Sequence, residues 1–189
     1  MVALSVRKLN PLFIIYTGRR GAGKTLTMIH DAYMYWKRGH TIMGNMEEII
    51  FPGYQYIEPK NIMEITQDND MHDCVLMLDE MQVQFDSLNN SKSARLFSHF
   101  VQQMRKRRIL VLMTTQVGKN VHLRIRQQRD IVARPTFFPD YPIVKVDYYN
   151  WTIVDEEITF EPEKKTVLYD PTPFFKFYNH EEEIKIKKK

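Results

Sequence analysis

The residues best suited to chemistry lie together near the amino terminus, in the segment Gly18-Arg19-Arg20-Gly21-Ala22-Gly23-Lys24-Thr25. A glycine, any four residues, and then Gly-Lys followed by a hydroxyl residue form the pattern of a phosphate-binding loop. Glycines let successive backbone N–H groups turn toward a phosphate, and a helix that begins after the loop directs its positive end to the same point. Lys24 would reach the outer phosphates and Thr25 would hold magnesium. The segment predicts a nucleotide site that uses Mg²⁺.

The residues around this loop predict the order strand, loop, helix that phosphate binding requires. Leu12–Tyr16 is a short apolar run, and apolar residues then recur at helical spacing from Leu26 to Trp36, before Gly39 closes the segment. A glycine turn in an unrelated α/β protein is the competing interpretation. The agreement of both flanking segments favours the phosphate-binding loop.

Polar residues with suitable chemistry follow two further apolar runs. Asp79 and Glu80 follow Cys74–Leu78, and Thr114-Thr115-Gln116 follows Ile109–Met113. Ligands of open α/β sheets bind at the carboxyl ends of the strands, where Asp79 would orient the magnesium shell and Glu80 would polarise water. A side-chain amide at Gln116 could hydrogen-bond both the attacking water and the terminal phosphate. The alternative interpretation is that these polar residues only end the strands and have no role in chemistry.

The basic residues are bunched along the chain rather than dispersed. Apolar positions repeat at helical intervals between Lys92 and Arg108, and this predicted helix ends in Arg105-Lys106-Arg107-Arg108. Such a cluster could supply an arginine to a neighbouring subunit or grip DNA phosphates, whereas a solvated helix end favoured by the helix dipole is the competing interpretation. Further basic residues are Arg124, Arg126, Arg129 and a closing lysine tail at 185–189.

Length and composition predict one soluble globular domain. The chain has 189 residues, 43% hydrophobic and 26% charged, with a net charge of +4. No apolar run is long enough to span a bilayer and no secretion signal is recognisable, so an intracellular location is expected. The single cysteine, Cys74, can form no internal disulfide, and the six histidines show no pair at zinc-ligand spacing. Magnesium brought by the nucleotide is the only metal expected.

The remaining pattern predicts an α/β fold with a mostly parallel central sheet flanked by helices, plus antiparallel strands at the carboxyl end. The other predicted pieces, in chain order, are a strand at 41–46, an extended piece at 54–57, a helical turn at 62–65, a strand at 130–133, an irregular crossing at the prolines 135, 139 and 142, and antiparallel strands at 143–149 and 151–160. We expect a core of about 11–134, a β extension of 135–170 and a basic tail of 171–189.

From about residue 11 to 134, these motifs resemble the FtsK-HerA superfamily of ATP-driven DNA pumps, which are P-loop NTPases of RecA-like fold. The superfamily includes genome-packaging ATPases of membrane-containing icosahedral viruses and the Zot proteins of filamentous phages. The resemblance implies that Lys24 and Thr25 bind ATP and Mg²⁺, Asp79 orients the metal, Glu80 activates water and Gln116 is the sensor. It also implies that an arginine preceding the sensor acts in trans. The spacing favours Arg105, with Arg107 and Arg108 as alternatives.

The packaging enzymes are the better match, because Zot proteins usually carry a membrane segment after the ATPase portion and this chain has none. The resemblance therefore implies a ring, expected to be hexameric, that hydrolyses ATP between subunits and moves double-stranded DNA into a viral capsid. It implies a capsid or portal-vertex partner and a place in the host cytoplasm or virion. A Zot-like morphogenesis or extrusion ATPase is the alternative. A nucleotide switch or small-molecule kinase is a third class, although no guanine-reading Asn-Lys-any-Asp segment is present.

Overall fold

An eight-stranded sheet runs through the molecule. The computed structural model describes residues 12–58, 61, 71–80, 91–116, 125, 127–154 and 157–178. The elements, in chain order, are β1 (Phe13–Thr17), α1 (Lys24–Trp36), β2 (Thr41–Gly44), β3 (Gln55–Tyr56), β4 (Cys74–Leu78), α2 (Ser91–Arg107), β5 (Leu110–Thr115), β6 (Ile131–Phe138), β7 (Ile143–Val154), β8 (Glu157–Tyr169) and α3 (Thr172–Phe175). The predicted turn at 62–65, Arg124, Arg126 and the lysine tail lie outside the described residues.

The strands follow the order β3-β2-β4-β5-β1-β6-β7-β8. Every neighbouring pair from β3 to β6 in this order is parallel, and β7 and β8 extend the sheet as antiparallel strands. The predicted fold class is therefore confirmed. β5 lies between β1 and β4 and is parallel to both, so the carboxyl ends of these three strands meet at one edge of the sheet.

Two helices cover opposite faces of the parallel strands. Side chains of a strand alternate between faces, and β4 is buried at all five positions, so it needs cover on both sides. On one face, Leu76 and Leu78 pack in a cluster with Phe97 and Phe100 of α2. On the other, Val75 and Met77 belong to a cluster with Met28 and Ile29 of α1. This packing fixes both helices relative to the strand ends that carry the predicted site.

The predicted irregular crossing is wrong at Pro135, whereas Pro139 and Pro142 lie in a turn. β6 continues through Pro135 to Phe138 and pairs with β7, with Pro135 opposite Val146, and the chain turns only at 139–142. A proline lacks the N–H of a sheet ladder and is tolerated where a strand has no partner on one side. The pairing of β6 with β1 ends at Ala133, so no described strand pairs with that side of β6 at Pro135. The expected boundary between 134 and 135 thus falls inside a strand.

The carboxyl-terminal segment crosses over α1. The expected basic tail 171–189 differs from the structure in its first eight residues, because these contain α3 and end in a bridge between Tyr178 and Ile49. Phe174 is buried with its ring centroid 5.0 Å from that of His30 and 5.4 Å from that of Tyr33. Aromatic packing therefore ties this segment to the helix that follows the glycine loop. Within the described ranges, no helix is long and apolar enough to cross a membrane.

Candidate functional site

The glycine loop joins the carboxyl end of β1 to the first turn of α1. Gly21 has φ 75° and Gly23, the residue that caps α1, has φ 88°. These left-handed values are costly for residues with a Cβ, which explains glycine at both positions. The loop is closed by a hydrogen bond from the backbone N of Ala22 to the carbonyl oxygen of Arg19, 3.2 Å away. The loop is exposed and leads directly into the amino terminus of α1, which is the arrangement that binds anions.

Lys24 is the first residue of α1 and is only 8% exposed. Its Nζ donates a hydrogen bond to the carbonyl oxygen of Arg19, 3.1 Å away, so the side chain folds back along the loop. Burial lowers the pKa of Lys24, and the nearby carboxylates of Asp79 and Glu80 oppose that shift. The ammonium group therefore lies among groups of opposite charge at the loop, where an anionic ligand would also stabilise it.

Asp79 follows β4 and lies beside the loop. Its Oδ1 accepts hydrogen bonds from Oγ1 of Thr25 at 3.1 Å and from Oγ1 of Thr114 at 2.6 Å. Burial raises the pKa of Asp79, and the two hydroxyl hydrogen bonds counteract the shift. A carboxylate and a hydroxyl are hard oxygen ligands of the kind that Mg²⁺ prefers. The side-chain oxygens of Thr25 and Asp79 are therefore suitable ligands for a magnesium ion brought by a nucleotide.

Glu80 and Gln116 are in direct contact. Nε2 of Gln116 donates to Oε1 of Glu80 at 2.7 Å, although the two residues are separated by 36 positions in sequence. Glu80 has φ 48°, a left-handed value that is uncommon for a residue other than glycine. Such backbone conformations persist only where the surrounding contacts enforce them, and they occur frequently at functional sites. Both side chains are exposed and accessible to a ligand.

Two residues to which sequence reasoning assigned no role brace this acidic pair. Asn45, directly after β2, accepts from the backbone N of Asp79 at 2.7 Å and donates to the carbonyl oxygen of Asp79 at 2.9 Å. Thr114, in β5, contacts both acidic residues. Asn45 could have been found by the rule that selected Asp79, since it too is a polar residue at the carboxyl end of a parallel strand.

Most of the predicted residues line one cleft of about 860 Å³. Its walls include Arg20, Gly21, Gly23, Lys24, Thr25, Asp79, Glu80 and Gln116, together with Glu48, Phe137, Phe175 and Tyr178. Gly18, Arg19 and Ala22 line a smaller neighbouring cleft of about 380 Å³, together with Arg134. The aromatic wall comes from β6 and from the carboxyl-terminal segment, which sequence reasoning did not connect with the loop.

Arg105 does not lie in this cleft. Its guanidinium donates to Asp130 at 2.9 Å, and the backbone N of Asp130 bonds the carbonyl oxygen of Phe13, at the amino-terminal edge of the sheet. Arg107 is buried against its own helix, and Arg108 pairs with a carboxylate just before β4, at the same edge. None of these three arginines lines the cleft of its own chain. The trans role of Arg105 stays a prediction.

The fold is that of a P-loop NTPase of RecA-like type. It has a glycine loop between β1 and α1, acidic residues after β4, and a polar residue after β5, the strand between β1 and β4. No protein-family model matches the chain, and no curated protein matches its sequence. The structure is similar to the N-terminal domain of zonular occludens toxin from Neisseria meningitidis, with TM-score 0.63 and 14% identity over 89% of this chain and 99% of that one.

Two further structures share the fold. The genome packaging NTPase B204 from Sulfolobus turreted icosahedral virus 2, in complex with ATP-gammaS, has TM-score 0.60 and 11% identity over 80% of this chain and 97% of that one. A DnaB-like replicative helicase has TM-score 0.51 and 12% identity over 85% of this chain and 55% of that one. The predicted resemblance to viral packaging ATPases and Zot proteins is therefore confirmed in the fold.

Proposed function

We propose that this protein is a Mg²⁺-dependent ATPase that translocates double-stranded DNA as a ring of identical subunits, expected to be hexameric, and packages a viral genome. The observation that carries the proposal is the convergence of Lys24, Asp79, Glu80 and Gln116 in a single cleft. These residues come from two strand ends and one helix start, and chemistry on the terminal phosphate needs all four kinds of group together.

Each group has a distinct task in ATP hydrolysis. Backbone N–H groups of the loop and Lys24 bind the phosphates, and Thr25 and Asp79 hold Mg²⁺. When bound, the ion neutralises charge on the phosphate oxygens. Glu80 accepts a proton from the water whose oxygen attacks the γ-phosphorus, while the bond from that phosphorus to the β-phosphate oxygen breaks. Gln116, which contacts Glu80, orients the attacking water.

The surface of α2 supports a polyanionic partner. The helix contains no Asp or Glu between Ser91 and Arg107, yet it carries several basic residues. Arg95, His99, Gln102 and Lys106 are exposed and recur at the spacing of one helical face. In the described part of the chain, no carboxylate pairs with Arg95 or Lys106. A cationic stripe whose Arg95 and Lys106 pair with no described carboxylate suits DNA phosphates, which dominate protein–DNA affinity.

The ring accounts for the position of Arg105. At the amino-terminal edge of the sheet this arginine cannot act on its own nucleotide, whereas a neighbouring subunit could present it to the cleft in trans, with hydrolysis at the subunit interface. The similarity to packaging NTPase B204 supports a capsid or portal-vertex partner and a location in host cytoplasm or virion. We propose that the chain forms one ATPase domain with β and basic carboxyl-terminal extensions.

ATPase turnover measured with increasing duplex DNA tests this function. A translocase should hydrolyse ATP slowly alone and faster as DNA fills the ring, because translocation couples hydrolysis to movement. Turnover of fully assembled protein that is indifferent to DNA would rule out the DNA motor while leaving an ATPase. Absence of turnover under both conditions would rule out the enzyme as well.

The salt dependence of DNA binding tests the role of α2. The double variant Arg95→Gln, Lys106→Gln should reduce the slope of log K against log salt by about 2, since each phosphate contact contributes about 0.9. The matched control is Lys37→Gln, Arg38→Gln, which removes the same charge from the end of α1, on the opposite face of the sheet. Equal slopes for both double variants would exclude α2 as the DNA surface.

A Zot-like morphogenesis ATPase is the second candidate, favoured by coverage of 99% of the zonular occludens toxin domain. In that case hydrolysis drives extrusion or assembly. Turnover would then respond to a membrane-embedded assembly protein and not to free duplex DNA. Phosphate transfer to a small acceptor would instead indicate the third class, a kinase.

A further inference from the structure

Thr114 occupies an unusual position for a polar residue. It lies within β5, is fully buried, and has apolar residues before it in the strand. The register of β4 and β5 pairs Leu78 with Met113, so the next position along each strand places Thr114 beside Asp79. The hydroxyl therefore reaches the acidic pair from inside the sheet, without itself lining the cleft.

The hydroxyl of Thr114 forms two hydrogen bonds with different residues. Its Oγ1 donates to Oδ1 of Asp79 at 2.6 Å and accepts from the backbone N of Glu80 at 2.9 Å. A hydroxyl offers one donor and two acceptor sites, so a single group can join the carboxylate of one residue to the backbone of the next. No aliphatic side chain can replace that link.

The second bond matters because of the backbone conformation of Glu80. A left-handed φ of 48° carries an energetic cost for a glutamate, and the hydrogen bond to Thr114 holds its N–H in this conformation. The direction of the Glu80 side chain, and hence its contact with Gln116, follows from that φ. Releasing the N–H would let the segment relax and carry the carboxylate away from the attacking water.

We propose that Thr114 is a positioning residue that aligns Asp79 and Glu80 for hydrolysis. The inference rests on the proposed ATPase function and goes beyond it, because Thr114 does not line the cleft and acts only through its two acidic neighbours. Nucleotide affinity depends mainly on the loop and Lys24. Loss of the Thr114 hydroxyl should therefore slow the chemical step and leave nucleotide binding nearly intact.

Kinetics of Thr114→Val test the inference, since valine keeps the shape and removes only the hydroxyl. We expect kcat to fall by about 10- to 100-fold, the effect of losing a hydrogen bond to a charged group, while the dissociation constant for an ATP analogue changes by less than about threefold. Thr114→Ser restores the hydroxyl and should return kcat to within about threefold of the wild type. Thr115→Val is the matched control, because it places the same substitution on the opposite face of β5.

Several outcomes overturn the inference. They are wild-type kcat in Thr114→Val, a loss in Thr114→Ser as large as in Thr114→Val, and a loss confined to nucleotide binding. If Thr114→Val fails to fold by circular dichroism, Thr114→Ala takes its place with the same expectation, because it removes the hydroxyl without adding volume. A wild-type protein with no turnover overturns the proposed function and this inference together. Turnover that is unaffected in the folded variant overturns the inference alone.

Discussion

Glu80→Gln should remove nearly all turnover while preserving the fold and the nucleotide site. Oε1 of Glu80 accepts a hydrogen bond from Gln116 at 2.7 Å, and the amide oxygen of a glutamine can accept the same bond. The backbone bond from residue 80 to Thr114 does not involve the side chain and also persists. The substitution therefore removes one thing, the group that takes the proton from water.

General bases contribute about 10²- to 10⁴-fold to enzymatic rates, which corresponds to about 3–5 kcal/mol of barrier. We expect kcat of Glu80→Gln to fall by that factor, measured as phosphate release at saturating Mg-ATP. Equilibrium binding of an ATP analogue should change by less than about threefold. The matched control is Glu48→Gln, which removes an equal charge from an exposed position in the same cleft and should retain wild-type turnover.

The assignment of Glu80 is refuted if Glu80→Gln keeps more than about a tenth of wild-type turnover, far above the range for a lost general base. It is also refuted if Glu48→Gln loses as much activity as Glu80→Gln. A parallel loss of nucleotide binding in Glu80→Gln would indicate that the residue contributes to binding rather than to the chemical step.

Three further predictions concern other parts of the molecule. Thr25→Val should raise the Mg²⁺ concentration needed for half-maximal turnover by at least about tenfold, because it removes a proposed ligand; an unchanged magnesium titration would contradict that role. Gly44→Ala should lower the free energy of unfolding by about 1–3 kcal/mol in urea denaturation, since an added Cβ would approach the backbone oxygen of a β4 residue to 2.3 Å. Burial raises the pKa of Cys74 to about 12, so alkylation at neutral pH should proceed only as fast as the protein opens, and rapid modification would show an accessible thiolate.

Sequence reasoning was most successful where one local rule was sufficient. The strand Cys74–Leu78 has the predicted bounds, because an unbroken apolar run between polar residues has few other interpretations. The helices α1, after the glycine loop, and α2, with its basic end, lie within a few residues of their predicted positions. Asp79, Glu80 and Gln116 meet at one edge of the sheet, since parallel strands present all their carboxyl ends on the same side.

Features that depend on tertiary packing could not be predicted in this way. The place of β5 between β1 and β4 depends on how each crossover packs, and no local pattern records it. A proline usually ends a strand, which is why the sequence predicts a break at Pro135, whereas no described strand pairs with one side of β6 at that point. Phe175 and Tyr178 reach the cleft only because the carboxyl-terminal segment crosses α1, and this crossing depends on aromatic contacts distant in sequence.

Equilibrium binding of an Mg-ATP analogue to wild-type protein and to Lys24→Met tests most directly whether the cleft is a nucleotide site. Methionine keeps the unbranched apolar stem of the lysine and removes only its ammonium group. We predict saturable binding of one nucleotide per chain, weakened by about 10- to 100-fold in Lys24→Met, the effect of losing a hydrogen bond from a charged group. Failure of the wild type to bind, or equal affinity in both proteins, would contradict a nucleotide site at this loop.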